Sequence, residues 1–250
     1  MEEKYNALCV RSVNYRESDK IITLFTLEKG LVDCAVYGAR RAGSKLAFAG
    51  EIFCFAEYLL TEKNDKRSVK EANEIDGFYG VRSDIVRFYA ASAIADFVRL
   101  FVMPGAPQYL TFSAASAALK GIEQGDPLLS LIGFLINALE DIGFGMDLSV
   151  CSGCGRVISE RPFFDFSSSS AFCMPCAPVG ATEIRFSTFS LISLLSRIPV
   201  ENLKNSDLST YSPVFNDEKA KQSAIKMLGY YIEEKTGYTV KTLQELLDIL

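Results

Sequence analysis

The chain has 250 residues, 49% of them hydrophobic and 23% charged, with a formal net charge of −5 and no histidine. That length buries a full core, as one large domain or two ordinary ones, without staples; the isoelectric point near 5.0 argues against a surface that is one continuous phosphate platform, which would need a basic face. Without histidine there is no Ser-His-Asp or Cys-His nucleophile, no H-E-x-x-H peptidase and little acid–base chemistry tuned near neutral pH, so no enzyme is expected.

The chain opens Met1-Glu-Glu-Lys-Tyr-Asn, charged where a secretory signal would be basic and then apolar, so a cytosolic location is expected. From Ala7 to about Ile75 apolar runs broken by turn residues predict five strands: Ala7–Val13, Lys20–Leu27, Leu31–Tyr37, Ile52–Thr61 and Arg67–Ile75. Lys29-Gly30 and Lys63-Asn-Asp-Lys66 read as hairpin loops. Five short antiparallel strands of this size close most simply into an oligonucleotide-binding barrel (OB-fold), with an SH3-like barrel or an open sheet as the other solutions. In the fourth strand Phe53, Phe55, Glu57 and Leu59 share one face and Ile52, Cys54, Ala56 and Tyr58 the other, so at least one face is core. The aromatics Tyr37, Phe48, Phe53, Phe55 and Tyr58 read first as barrel filling and second as stacking platforms for bases. Cys9, Cys34 and Cys54 are scattered and odd in number, as buried thiols of a reducing compartment would be.

After Gly77 and Gly80 the apolar period changes to that of helices. Ser83 is placed to cap a helix ending before Pro104-Gly105; a second is predicted over Pro107–Ile122 and a third over Pro127–Ile142. The apolar stretches Ile85–Met103 and Leu128–Leu139 are core helices, not spans: the first holds Arg87, Asp96 and Arg99, and the second is shorter than the roughly 20 residues a bilayer needs. Helices resume near Ser187, with a long one over Asp217–Lys235 closed by Gly237 and a short one over Lys241–Leu250.

Between them lies Cys151-Ser-Gly-Cys154, an eighteen-residue spacer, then Cys173-Met-Pro-Cys176. Two C-x₂-C turns at this spacing predict one zinc held by four thiolates, a closed structural site that leaves no position for a substrate. Two disulfides, or four unrelated buried thiols, are the other readings. The zinc segment, about residues 148–182, interrupts the helical part.

For binding, Gly38-Ala-Arg-Arg-Ala-Gly-Ser-Lys45 sets Arg40, Arg41 and Lys45 in a glycine-rich loop after the third strand, where guanidinium groups can follow a phosphate chain. Lys63, Lys66, Arg67 and Lys70 flank the next hairpin, giving residues 29–70 a local excess of positive charge. Ordinary solubilising charge on loop tips would look the same.

Taken together, Val10-Arg-Ser-Val-Asn-Tyr-Arg-Glu-Ser-Asp-Lys-Ile-Ile-Thr-Leu-Phe-Thr-Leu-Glu-Lys-Gly30 and Tyr37-Gly-Ala-Arg-Arg41 resemble the amino-terminal signature of the bacterial recombination mediator family RecO. The resemblance runs on through Gly143-Phe144 and the four cysteines to Leu228-Gly-Tyr-Tyr-Ile-Glu-Glu-Lys-Thr-Gly237, covering nearly the whole chain. It implies an α+β protein with an amino-terminal five-stranded OB-fold barrel over residues 1–78. A helical domain over 79–250 would carry the zinc-binding insertion. It further implies binding to single- and double-stranded DNA, annealing of complementary strands and, with RecR, assistance to RecA on strands coated by the single-stranded DNA-binding protein, whose acidic, phenylalanine-ended tail the helical domain engages. The setting is the bacterial cytoplasm, at the nucleoid during repair. Carried over by position, Arg40 and Arg41 are the expected DNA contacts, with Lys45 just beyond; Lys66, on the neighbouring hairpin, is a candidate DNA contact by its charge on the barrel face. The chain's acidity departs from a DNA-annealing protein and predicts weak, salt-sensitive or partner-assisted DNA binding. A zinc-stabilised adaptor with little DNA affinity of its own is the alternative.

Overall fold

The computed structural model describes residues 2–64, 66–199, 202 and 212–250. Asp65, read as part of a hairpin loop, lies outside them.

Five strands form a closed barrel: β1 (Glu2–Tyr15), β2 (Asp19–Thr26), β3 (Gly30–Val36), β4 (Phe55–Lys63) and β5 (Lys66–Asp76), in the order β1-β2-β3-β5-β4. Closure depends on β1, which is longer than its apolar run suggests. Its first half pairs with β4 from Glu2↔Thr61 to Leu8↔Phe55, and its second half pairs with β2 from Ala7↔Thr26 to Tyr15↔Asp19. A bulge between Cys9 and Arg11 bends the strand where it changes partners. The β3–β5 contact is parallel, at Ala35↔Ser68. This is the five-stranded OB arrangement.

The strand alternation feeds two cores. Ile22, Leu24, Val32, Ala56, Tyr58 and Leu60 fill the barrel with Cys9, Cys34 and Cys54, all three free thiols. Burial pushes Cys34 up to about 12 and Cys54 up to about 11, so these thiols are unreactive. Leu8, Val10, Phe25 and Phe53 face outward into the helices, where Phe112 meets both Phe25 (ring centroids 5.1 Å) and Phe55 (5.9 Å). This is why both faces of the fourth strand are apolar: one lines the barrel and the other seats it on the helices. That strand begins at Phe55, not Ile52, because Phe53 takes a left-handed turn (φ 68°) whose strain is held by packing on Phe88.

The helical part holds α1 (Ile85–Phe101), α2 (Tyr109–Gln124), α3 (Pro127–Asp141), α4 (Phe186–Leu195), α5 (Glu218–Thr236) and α6 (Lys241–Ile249). The cap of α1 is Asp84, whose carboxylate accepts from the Arg87 N–H at 2.9 Å. Ser83 belongs instead to a 3₁₀ turn and donates to the Gly80 carbonyl, so the expected serine cap is corrected by one residue. The second helix starts at Tyr109 rather than Pro107. Asp126 caps α3, with Pro127 in its first turn, and Asp217 caps α5, which ends at Gly237 in the left-handed conformation (φ 73°). Among the described residues no helix is long and apolar enough to cross a membrane. α3 is buried along most of its length and packs against α1, α2, α4 and α5.

Between α3 and α4 a small sheet, in the order β7-β6-β8, is made by β6 (Phe163–Asp165), β7 (Ser170–Phe172) and β8 (Thr182–Glu183). It is anchored on α5: the buried Phe164 ring lies 5.9 Å from Tyr231, whose hydroxyl donates to the Phe144 carbonyl and meets Ser169 Oγ at 2.8 Å.

Candidate nucleic-acid interface and four-cysteine cluster

The register of β1, β2 and β3 decides which side chains face outward together. Arg11, Thr23 and Asp33 form one cross-strand row, and Val13, Ile21 and Ala35 the next. At the end of this face Tyr15, Arg16, Tyr37, Lys66 and Arg67 surround Ile21 and Ala35, making a groove of about 320 Å³. Tyr15 is 43% exposed and Tyr37 55%. A second groove of about 480 Å³ shares Asp33 and Arg67 with the first. It continues past Arg11, Thr23 and Leu31 to Arg99 in the last turn of α1 and to Pro104.

The loop after β3 docks on the β1–β2 turn. The Arg40 N–H donates to the Ser18 carbonyl at 2.9 Å, and the Gly38 N–H donates to the buried Asp19 carboxylate at 2.8 Å. The Arg40 guanidinium reaches the Arg16 carbonyl at 3.5 Å, and the Arg41 guanidinium reaches the Ser18 hydroxyl at 3.4 Å. Gly38, at φ 67°, permits the turn that brings Arg41 back. Arg16, Arg40 and Arg41 thus gather at one end of the barrel. Lys45, exposed in the following turn, lies in the same loop without a contact to Lys66, which sits across the groove with Tyr37.

Charge pairing separates these cations from several others on the barrel. Lys20, Lys29, Arg67 and Lys70 are each held by a carboxylate, at 2.6–3.0 Å. Among the described residues, Arg16, Arg40, Arg41, Lys45 and Lys66 have no carboxylate within salt-bridge distance. An unpaired arginine keeps its fork of N–H donors for an incoming anion. Sequence reasoning did not single out Arg11, Tyr15, Arg16 or Arg99. The signal at hand was a Tyr-Arg pair ending a strand; nothing local marked Arg11 or Arg99.

The four cysteines converge. The sulfurs of Cys151, Cys154, Cys173 and Cys176 all lie within 4.8 Å of one another, with Cys151–Cys173 at 3.5 Å and Cys154–Cys173 at 3.8 Å. A tetrahedral metal with metal–sulfur bonds of about 2.3 Å sets its ligand sulfurs about 3.8 Å apart, so the cluster has the dimensions of a metal site. Backbone turns shape it. The N–H groups of Cys154 and Gly155 donate to the Cys151 carbonyl, that of Cys176 donates to the Cys173 carbonyl, and that of Cys173 points at the Cys151 sulfur at 3.3 Å. Gly153 is required, because a Cβ there would lie 2.7 Å from Cys176 Cβ. Arg156 hydrogen-bonds Cys154 and holds its thiol down at about 6, whereas Cys173 and Cys154 push Cys176 up to about 12. Crowded sulfurs cannot all ionise together without a cation between them. These four residues can therefore hold a metal ion; they belong to the small-sheet segment, and none of them lines either barrel groove.

Comparison with known proteins adds a family. Residues 1–78 match the family described as Recombination protein O N terminal, and residues 82–244 match Recombination protein O C terminal. The chain is similar to a protein named DNA repair protein RecO from Desulforamulus reducens, 29% identical over 239 residues, spanning 94% of this chain and 92% of that one. Proteins of the same name from Acetivibrio thermocellus (26% identical over 210 residues, 82% and 84% of the two chains) and Anaeromyxobacter sp. strain K (29% over 196 residues, 77% of each) are also similar.

Proposed function

The chain belongs to the recombination protein O family of DNA repair proteins, and from that premise we propose that it acts without turnover, binding DNA on the barrel and partner proteins on the helices. The observation that carries the reading is the gathering of Arg16, Arg40 and Arg41 around the β1–β2 turn, with Lys66 and two exposed tyrosines in the adjoining groove. Guanidinium and ammonium groups there hold the sugar-phosphate chain without reading sequence. Two strands held at raised local concentration then anneal by their own base pairing. In this reading residues 1–78 are the DNA-binding unit, and residues 79–250 carry the partner sites for RecR and for the tail of the single-stranded DNA-binding protein. RecA loading follows from strand handover in the cytoplasm. The tail reading is supported by a cleft of about 520 Å³ between β8, α4 and α5. Phe166, Ile184, Met227 and Tyr230 supply apolar surface there, and Arg185 and Lys226 supply positive charge beside Glu183, whose carboxylate Arg161 already holds at 2.8 Å, for an acidic peptide ending in phenylalanine.

The metal of the four-cysteine cluster, in this reading, is zinc, which thiolate ligands and tetrahedral spacing favour. Its chemistry there is structural: it neutralises the thiolates and ties the turn at Cys151 to the turn at Cys173.

Measured by titration of labelled single strands and duplexes, Arg40→Glu with Arg41→Glu should weaken binding to every sequence and flatten its salt dependence. Wild-type affinity and salt slope in that variant would sink the DNA assignment and leave the adaptor reading, which the net charge of −5 favours.

A further inference from the structure

The groove at the barrel's open end has a composition that a simple phosphate clamp would not need. Its floor is apolar, from Ile21 and Ala35, and its sides carry two exposed aromatic rings, Tyr15 and Tyr37. The Arg16 guanidinium sits 5.0 Å from the centre of the Tyr15 ring, so this ring is backed by a cation on one side. A carboxylate, Asp33, lies in the groove, held by the Thr23 hydroxyl at 2.6 Å, and the groove continues past it toward Arg11 and Arg99.

These features fix an orientation for a nucleic-acid strand. A phosphate seated on the floor of the groove would meet the Asp33 carboxylate and the apolar Ile21 and Ala35, whereas the cations Arg16, Lys66 and Arg67 stand around that floor. A base laid there meets ring faces for stacking and an acceptor for its N–H groups. The free cations Arg16 and Lys66, which line the same groove, are within reach of the phosphates on either side of that base. Only an unpaired base can enter, because in a duplex the ring faces are already stacked and the pairing edges occupied.

We infer that Tyr15 and Tyr37 form a base-stacking slot that makes this end of the barrel select single-stranded over double-stranded DNA, with the strand running bases-inward along β2 and β3 toward Arg99. The inference rests on the barrel reading proposed above and adds to it the selectivity and the direction of the strand. The cations attract any phosphate chain; the tyrosines discriminate.

The test is a pair of binding titrations, one with fluorescent oligothymidine and one with a duplex of the same length, at matched salt. Tyr15→Ala with Tyr37→Ala should lose about tenfold or more in single-strand affinity, the range expected for one or two stacked bases, and about twofold or less on the duplex. Tyr15→Phe with Tyr37→Phe keeps both rings and should bind the single strand as the wild type does. Both tyrosines are exposed and belong to neither core, so neither change removes core packing. Equal losses on both substrates, or no loss on either, would overturn the slot. If the tyrosine variants bind normally while Arg40→Glu with Arg41→Glu fails, the slot is wrong and the barrel reading stands; if the arginine variant also binds normally, the barrel reading itself has failed.

Discussion

The ring of Phe25, on the second barrel strand, packs edge-on against Phe112 of α2 with centroids 5.1 Å apart, and Phe55 of β4 meets the same ring at 5.9 Å. One helical side chain therefore joins two strands of the barrel to the helices. The β2–β3 hairpin reinforces the contact: the Gly105 N–H donates to the Lys29 carbonyl at 2.8 Å, and a Cβ at Gly30 would collide with the Met103 carbonyl. The barrel and the helices share a core.

Phe112→Ala should accordingly destabilise both parts together, by about 3–5 kcal/mol for a buried phenylalanine. In a denaturant titration the helical circular dichroism and the hydrogen-exchange protection of barrel amides should be lost at the same midpoint. Two separated midpoints in the wild type would show that the barrel and helices fold independently.

Lys221 is buried on α5 and reaches Asp126, the cap of α3, at 2.5 Å and Glu218 at 2.6 Å. Burial alone would push its pKa down, but the bonds to Asp126 and Glu218 outweigh it and leave the pKa raised. A raised lysine pKa stabilises fully below the unfolded value and is lost as pH climbs through the folded one. Stability should be level through neutral pH on this account and decline above about 10.4, the ordinary lysine value. Lys221→Met should cost about 2 kcal/mol, since Asp126 and Glu218 remain partly hydrated, and should remove that alkaline decline. A variant as stable as the wild type would mean the bonds only offset the burial.

Metal content tests the cysteine cluster. Purified protein should carry about one zinc per chain, and Cys173→Ser should lose most of it. Chelation should open residues 151–176 to protease while the helical signal persists, because α3 packs against α1, α2, α4 and α5. Folded, protease-resistant protein free of metal would refute the site.

For the cleft between α4 and α5, an acidic peptide ending in phenylalanine is the probe. Arg185→Glu with Lys226→Glu should weaken its binding by about tenfold, with a steeper effect at low salt. Removal of the terminal phenylalanine should abolish binding by the wild type. Equal binding of the full and truncated peptides would exclude the apolar cleft as the seat.

Much of the architecture was legible residue by residue. The strands, the helices and the paired C-x₂-C turns depend on side-chain alternation, caps and turn residues within a few positions of one another, and the errors stayed at element ends. Asp84 rather than Ser83 caps α1, and Phe53 delays the start of β4, because each is settled by contacts from outside the local window. The aromatics of the barrel show the same divide: Phe53 and Tyr58 are core as composition suggests, but Tyr37 is exposed because β3 ends before it.

Sequence alone thus determined the element types, the cluster of four thiols and the basic loop at Arg40 and Arg41, since each is written in near neighbours. Tertiary structure decided which cations stand together and which are already paired. Parallel pairing of β3 with β5 at Ala35↔Ser68 brings Lys66 beside Tyr37, and the packing of α1 on the barrel brings Arg99 to the groove that holds Arg11. Those proximities arise from barrel closure and a shared apolar core, which join residues dozens of positions apart. No periodicity or spacing in the chain records them.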